Sequence, residues 1–113
     1  DHLAANYDRI LAQLKTEQPE AEVYVMAYYP ANMEVISGSE RGLTAFGLRT
    51  PENMAKANTE AAKLAQKNAC HFINVNACIS DSAGALKKEY TTDGVHMIPA
   101  AYVQILHALK AYL

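Results

Sequence analysis

Two short apolar segments, separated and flanked by helical patterns, constrain the fold of this chain most strongly. Residues 22–29 and 70–75 are rich in β-branched and aromatic side chains, and Pro30 closes the first segment. Their near-continuous apolarity predicts strands that are buried on both faces, as in a parallel sheet. The predicted order is helix, strand, helix, strand, helix. This alternation is typical of an α/β layer fold with parallel strands and right-handed crossovers.

Apolar residues at a 3.6-residue spacing predict three amphipathic helices. The first begins at Asp1, a suitable N-cap, and ends before Pro19. The second begins with Thr50 as N-cap and Pro51 at the first helical position, and it runs to about residue 68. The third begins near Pro99. Its predicted apolar stripe consists of Tyr102, Ile105, Leu106, Leu109 and Leu113.

Residues 31–50 show no period and contain Gly38, Gly42 and Gly47, so they are predicted to form a structureless loop. Such a loop would follow the carboxyl end of a strand, where ligands usually bind in open α/β sheets. A surface insertion with a few buried anchors explains the same segment equally well. The side chains in it that are suited to shape an acyl or alcohol pocket are Met33, Phe46, Leu48 and Arg49.

Two strands are too few for a complete domain of this class. A two-stranded sheet is only about 10 Å wide, which is too narrow to cover three apolar helix faces. At least one strand would also keep an open edge. The chain starts at Asp1, and its first methionine is Met26. We therefore expect that sheet neighbours are missing from residues 1–113, and that they come from an absent N-terminal part or from a second subunit.

Composition narrows the classes of partner. Half of the residues are hydrophobic, which is enough to form a core, and the net charge of −2 predicts no basic face for nucleic acid. No apolar run approaches the ~20 residues that span a bilayer. Cys70 and Cys78 are too few for a disulfide framework, and neither they nor the four histidines have a metal-ligand spacing. We therefore predict no metal and no cofactor, while the compartment stays open between cytoplasmic and secreted.

The strongest local signal for chemistry is the segment Asp93-Gly94-Val95-His96. A carboxylate three residues before a histidine can bind Nδ1–H, fix the tautomer and leave Nε2 free to take a proton from a nucleophile. Gly94 permits the tight backbone turn that this requires. The same spacing is also that of a capping carboxylate next to a surface histidine, and the spacing alone favours this second interpretation.

The segment from Asp93 to Tyr102 resembles the last block of the SGNH hydrolases, also called GDSL esterases and lipases, which reads approximately D-G-x-H-L-x-P-x-G-Y. The residues that match in register are Asp93, Gly94, His96, Pro99 and Tyr102. Met97 replaces the leucine and Ala101 replaces the glycine. Residues 19–30 are similar to the family's fourth-strand block, which reads P-x-A-x-I, then six further residues, then P. The resemblance covers essentially the whole chain, as the C-terminal half of the family fold.

The resemblance implies a flavodoxin-like three-layer parallel sheet and a serine hydrolase that cleaves small esters, such as acetylated sugars or lysolipids, through an acyl-enzyme. Asp93 would orient His96, and His96 would act as general base and then general acid. The family's nucleophile and oxyanion-hole blocks have no counterpart in this sequence. The four serines, Ser37, Ser39, Ser80 and Ser82, are turn residues by their context. We therefore expect the 113-residue chain alone to be inactive.

Two other functions compete with this one. A non-catalytic α/β interaction module could complete its sheet by dimerisation across a two-fold axis. A flavodoxin-like phosphate or nucleotide binder fits less well, because the sequence has no Gly-rich strand-to-helix turn to cradle a phosphate. The sequence upstream of Asp1 discriminates between the first two: a Gly-Asp-Ser block there favours the enzyme.

Overall fold

The computed structural model describes residues 2–113, and it confirms a mixed α/β fold with the predicted alternation of the long elements. The predicted N-cap Asp1 lies outside the described residues. The helices and strands are α1 (His2–Glu17), β1 (Tyr24–Met26), α2 (Met33–Ser37), α3 (Glu40–Phe46), α4 (Pro51–Lys67), β2 (His71–Ile73) and α5 (Pro99–Leu109). Two short 3₁₀ turns, Asn76–Cys78 and Lys88–Tyr90, precede α5. No helix in this part of the chain is long and apolar enough to cross a bilayer.

The two strands form a parallel sheet, as predicted, in which Val25 of β1 is paired with Phe72 of β2. α1 and α4 cover the face of the sheet that carries these two residues. Leu11 of α1 and the small residues Ala61 and Ala65 of α4 form the buried core with Val25. Because alanine side chains are short, α4 can pack close to the sheet.

The prediction that the strands are buried on both faces is wrong for β1. Tyr24 and Met26 point away from α1 and α4, and they are 37% and 42% exposed. Both strands are also shorter than the apolar runs that predict them, with three residues each. Within the described residues, the apolar side chains of residues 22–29 are therefore only partly buried, because no helix packs over Tyr24 and Met26 on one face of β1.

The predicted stripe of α5 is also only partly buried. α5 packs through the small residue Ala101 and through Ile105 against Ile79 and Leu86, which belong to the turns before it. Tyr102 and Leu106, on the neighbouring side of the helix, are exposed. α5 therefore contacts the core only along the side that carries Ala101 and Ile105, and the rest of the predicted apolar stripe remains exposed.

The prediction of a structureless loop over residues 31–50 is wrong, because this segment folds into α2 and α3. The side chain of Asn32 caps α2 by accepting a hydrogen bond from the Val35 N–H at 3.1 Å. Ser39 caps α3 in the same way, accepting from the Gly42 N–H at 2.8 Å. The two helices have five and seven residues, so they contain too few turns to show a hydrophobic period. The predicted start of α4 at Thr50 and Pro51 is confirmed.

Candidate active site

The loop that carries Asp93 and His96 is closed at its base by backbone pairing. Thr91 and Met97 form an isolated antiparallel bridge, and the Ile98 N–H donates to the Tyr90 carbonyl at 2.9 Å. The buried Thr91 hydroxyl accepts from the Gly94 N–H at 2.9 Å and donates to the His96 carbonyl at 2.8 Å. The Thr91 hydroxyl therefore joins the backbone of Gly94 to that of His96 and fixes the backbone at His96.

Gly94 is the point where this loop touches the rest of the protein. Its φ angle is +88°, in the left-handed region that favours glycine. Its carbonyl accepts a hydrogen bond from the Asn32 N–H at 2.8 Å. A Cβ at this position would lie 2.7 Å from the Asn32 carbonyl oxygen and 2.7 Å from Cγ1 of Ile36. The loop can approach α2 this closely only because residue 94 has no side chain.

Asp93 and His96 are hydrogen-bonded through their side chains, with Oδ2 of Asp93 2.5 Å from Nδ1 of His96. The other carboxylate oxygen accepts from the N–H groups of Val95 and His96, both at 2.8 Å. These contacts, led by the hydrogen bond with the imidazole, hold the pKa of Asp93 well below its usual range. Because an ionised carboxylate can only accept, Nδ1 of His96 carries the proton, and Nε2 of the neutral ring is left as an acceptor.

The pair is open to solvent and borders a cavity. The side chains of His96 and Asp93 are 71% and 46% exposed. The cavity has a volume of about 570 Å³ and lies between this pair and the α2–α3 segment. The ring of Phe46, at the end of α3, meets the His96 ring edge to face, with centroids 5.9 Å apart and planes at 84°. The imidazole is therefore held by Asp93 at Nδ1 and by an aromatic contact at its side.

The four residues predicted to shape a pocket lie in different places. Phe46 lines the cavity next to His96. Met33 does not line this cavity and packs against the buried cluster that contains Ile36. Leu48 is 82% exposed. The guanidinium of Arg49 lies 5.1 Å from the centre of the Tyr29 ring, and Arg49 borders a separate, smaller cavity. The structure thus brings together Asp93, His96 and Phe46, and it does not bring Leu48 or Arg49 to them.

Sequence reasoning missed two residues that hold the site, Thr91 and Asn32. Asn32 is buried, and its Nδ2 donates to the Leu86 carbonyl at 2.8 Å while its backbone binds Gly94. A signal for Asn32 was present, because an asparagine followed by an acid in the next turn (Glu34) is typical of a helix start. No comparable signal marks Thr91, whose role depends on the path of the folded loop.

Neither a serine hydrogen-bonded to His96 nor a cluster of metal-ligating side chains is found between residues 2 and 113. Ser39 lines the cavity, but its hydroxyl caps α3, and no serine between residues 2 and 113 is hydrogen-bonded to His96. In the same part of the chain, no three His, Cys, Asp or Glu side chains are grouped so that they could hold a metal ion. What the site offers is an oriented imidazole with a free acceptor nitrogen.

No protein-family model and no curated protein sequence matches this chain. Among solved structures, the chain is similar to a protein from Streptococcus pneumonia that was provisionally named a platelet activating factor, with 31% sequence identity and a TM-score of 0.81. The match covers 96% of this chain and 49% of the other, so this chain spans about half the length of the structure it resembles. The likeness supports an α/β architecture over nearly all of the chain.

Proposed function

We propose that this chain supplies the Asp and the His of a catalytic triad in a serine ester hydrolase of the SGNH type. The single observation that carries the proposal is the hydrogen bond between Asp93 Oδ2 and His96 Nδ1, at 2.5 Å, on the border of a cavity. The register of residues 93–102 with the last block of that family supports it further. In this proposal, residues 1–113 are the C-terminal portion of one flavodoxin-like three-layer domain.

The geometry is suited to general acid–base chemistry. Nε2 of His96 takes the proton from a serine hydroxyl while that oxygen attacks the carbonyl carbon of the ester, and the ionised Asp93 stabilises the imidazolium that forms. The imidazolium then gives the proton to the departing alcohol oxygen, which leaves an acyl-enzyme. Water, deprotonated by the same nitrogen, then attacks the acyl carbon; the bond to the serine oxygen breaks, the imidazolium returns the proton to that oxygen, and the carboxylic acid is released. The serine and the oxyanion donors come from outside the 113 residues in this scheme.

The surface of the described residues is consistent with such a missing part. β1 has one strand neighbour between residues 2 and 113, and Tyr24 and Met26 on it are exposed. Exposed apolar side chains also lie on α1, at Ile10, and on α5, at Leu106. We propose that the N-terminal half of the same domain adds strands beyond β1 and covers these residues. A second copy of the chain that completed the sheet would cover the same residues and corresponds to the non-catalytic alternative.

The test is hydrolysis of p-nitrophenyl acetate by the intact protein from the complete reading frame. We expect His96→Ala to lower kcat by about 10⁴-fold or more, because the nucleophile loses its base. Circular dichroism should be unchanged because the imidazole is largely exposed, and urea unfolding should show only the small loss that follows from removing the hydrogen bond to Asp93. His107→Ala removes an exposed histidine from α5 and is the matched control, which should retain wild-type turnover. Equal turnover in the wild type and His96→Ala would overturn the assignment.

The non-catalytic alternative predicts different results for the 113-residue chain and for the intact protein. An interaction module predicts that residues 1–113 form a stable dimer in light scattering and that the intact protein hydrolyses no ester. Tyr24→Lys would place a charge on the exposed face next to β1 and should then shift that dimer to monomer. An ester hydrolase predicts turnover by the intact protein and none by the 113-residue chain.

A further inference from the structure

The cavity next to His96 has one wall that the acid–base chemistry does not use. This wall belongs to α2 and α3, where Val35, Ala45 and Phe46 present apolar surface. Arg41, at the second position of α3, lines the same cavity. Between residues 2 and 113, its guanidinium forms no ion pair with a carboxylate. The cavity that Asp93 and His96 border therefore has a partly apolar wall that also carries the guanidinium of Arg41.

None of the acidic groups near this wall forms an ion pair with Arg41 within the described residues. The Glu34 carboxylate is bound to Nζ of Lys88 at 2.6 Å. The Asp93 carboxylate accepts from the His96 imidazole and from two backbone N–H groups, so its charge is already solvated by donors within its own loop. Glu40 precedes Arg41 in the chain but does not line the cavity. The positive charge of Arg41 is thus available to a ligand.

We propose that Arg41 makes this site selective for esters that carry a negative charge, a carboxylate or a phosphate-type oxyanion, on the part bound against α2 and α3. The inference rests on the proposed function and names the substrate class for it. A planar guanidinium binds such oxyanions with two parallel hydrogen bonds. The apolar wall, with Phe46 in contact with His96, holds the hydrocarbon that separates the scissile ester from the charge. An anion held there leaves the ester carbonyl close to the imidazole.

The experiment compares kcat/KM for matched pairs of anionic and neutral esters with the intact protein. For a charge on the acyl side, the pair is mono-p-nitrophenyl succinate and p-nitrophenyl butyrate. For a charge on the alcohol side, the pair is 4-acetoxybenzoate and 4-acetoxybenzamide. The quantity measured is the ratio of anionic to neutral kcat/KM in each variant, so that the intrinsic reactivities of the esters cancel between variants.

In one of the two pairs, Arg41→Gln should lower this ratio by about fivefold, as expected for a partly exposed charge pair. Arg41→Lys should retain most of the ratio, and Arg41→Glu should lower it further, because the charge of the wall is then reversed. Arg9→Gln removes the same charge from an exposed position on α1 and should leave both ratios at the wild-type value.

The outcomes separate this inference from the proposed function. Hydrolysis of the esters with the same ratios in the wild type and Arg41→Gln would overturn the role of Arg41 alone. Hydrolysis of none of the four esters would overturn the ester hydrolase and the role of Arg41 with it. The pair in which the ratio falls identifies whether the charged group lies on the acyl or the alcohol side.

Discussion

The backbone of Asn32 is joined to Gly94 by a hydrogen bond from the Asn32 N–H to the Gly94 carbonyl, at 2.8 Å. Asn32 lies after β1, whereas Gly94 lies in the loop before α5, between Asp93 and His96. The side chain of Asn32 extends this link, because its Nδ2 donates to the Leu86 carbonyl. The position of His96 relative to the sheet therefore depends on a buried asparagine that lies 64 residues earlier in the chain.

Asn32→Ala should destabilise the protein by about 2–3 kcal/mol. The substitution leaves the buried Leu86 carbonyl and the Val35 N–H without their side-chain partner, and unpaired buried polar groups are costly. Urea unfolding of the intact protein measures the change. Asn6→Ala, at an exposed position on α1, should alter stability by no more than about 0.5 kcal/mol. Equal effects of the two variants would contradict a structural role for Asn32.

Gly94→Ala should cost about 3 kcal/mol, because it combines left-handed backbone strain with a steric clash. Both the Asn32 carbonyl oxygen and Ile36 Cγ1 are too close to accommodate a Cβ. Gly84 provides the matched control, since its φ angle is +81° and a Cβ there would meet nothing within 4 Å. Gly84→Ala should therefore cost only about 1 kcal/mol, from strain alone. A cost at Gly94 no larger than at Gly84 would exclude the clash.

The long elements could be predicted from the sequence because their signals are local. α1 and α4 have sixteen and seventeen residues, enough turns for a clear apolar period. Thr50 and Pro51 mark the start of α4 by their own backbone preferences. The pairing of Asp93 with His96 was also predictable as a candidate, since the two residues lie three positions apart within a single turn.

The remaining features depend on contacts between distant parts of the chain. α2 and α3 are too short to be periodic, so only their caps, Asn32 and Ser39, could have indicated them. Arg49 was expected near the site because it belongs to the same segment as Phe46, but the chain turns at the end of α3 and carries it to Tyr29. A sequence pattern does not predict in which direction the chain leaves a helix, so it could not predict the position of Arg49.

Thr91→Val should lower turnover about tenfold if the proposed ester hydrolysis is correct. Valine has the shape of threonine, but it cannot accept from the Gly94 N–H or donate to the His96 carbonyl, so the loop loses two hydrogen bonds. Small displacements of a catalytic base are costly to rate. Thr91→Ser keeps the hydroxyl and should restore most of kcat, whereas a purely packing role would make Thr91→Val the milder of the two variants. Steady-state kinetics on p-nitrophenyl acetate decides between them.

Asp93→Asn should lower kcat by about 10⁴-fold, because the amide can donate to Nδ1 and so favours the wrong tautomer of His96. The same variant tests the pKa of the carboxyl group. The hydrogen bond with His96 and the two backbone N–H groups hold the pKa of Asp93 below its usual range in the folded protein.

A group whose folded pKa is lowered contributes stability above its unfolded pKa, about 3.9, and loses it as the pH falls through the folded value. The free energy of unfolding of the wild type should therefore exceed that of Asp93→Asn most clearly at about pH 5, and the difference should shrink as the pH is lowered below about 4. Urea unfolding of both proteins between about pH 2 and pH 5 measures this. A difference that stayed constant or grew over that range would show that the charged carboxylate does not stabilise the loop.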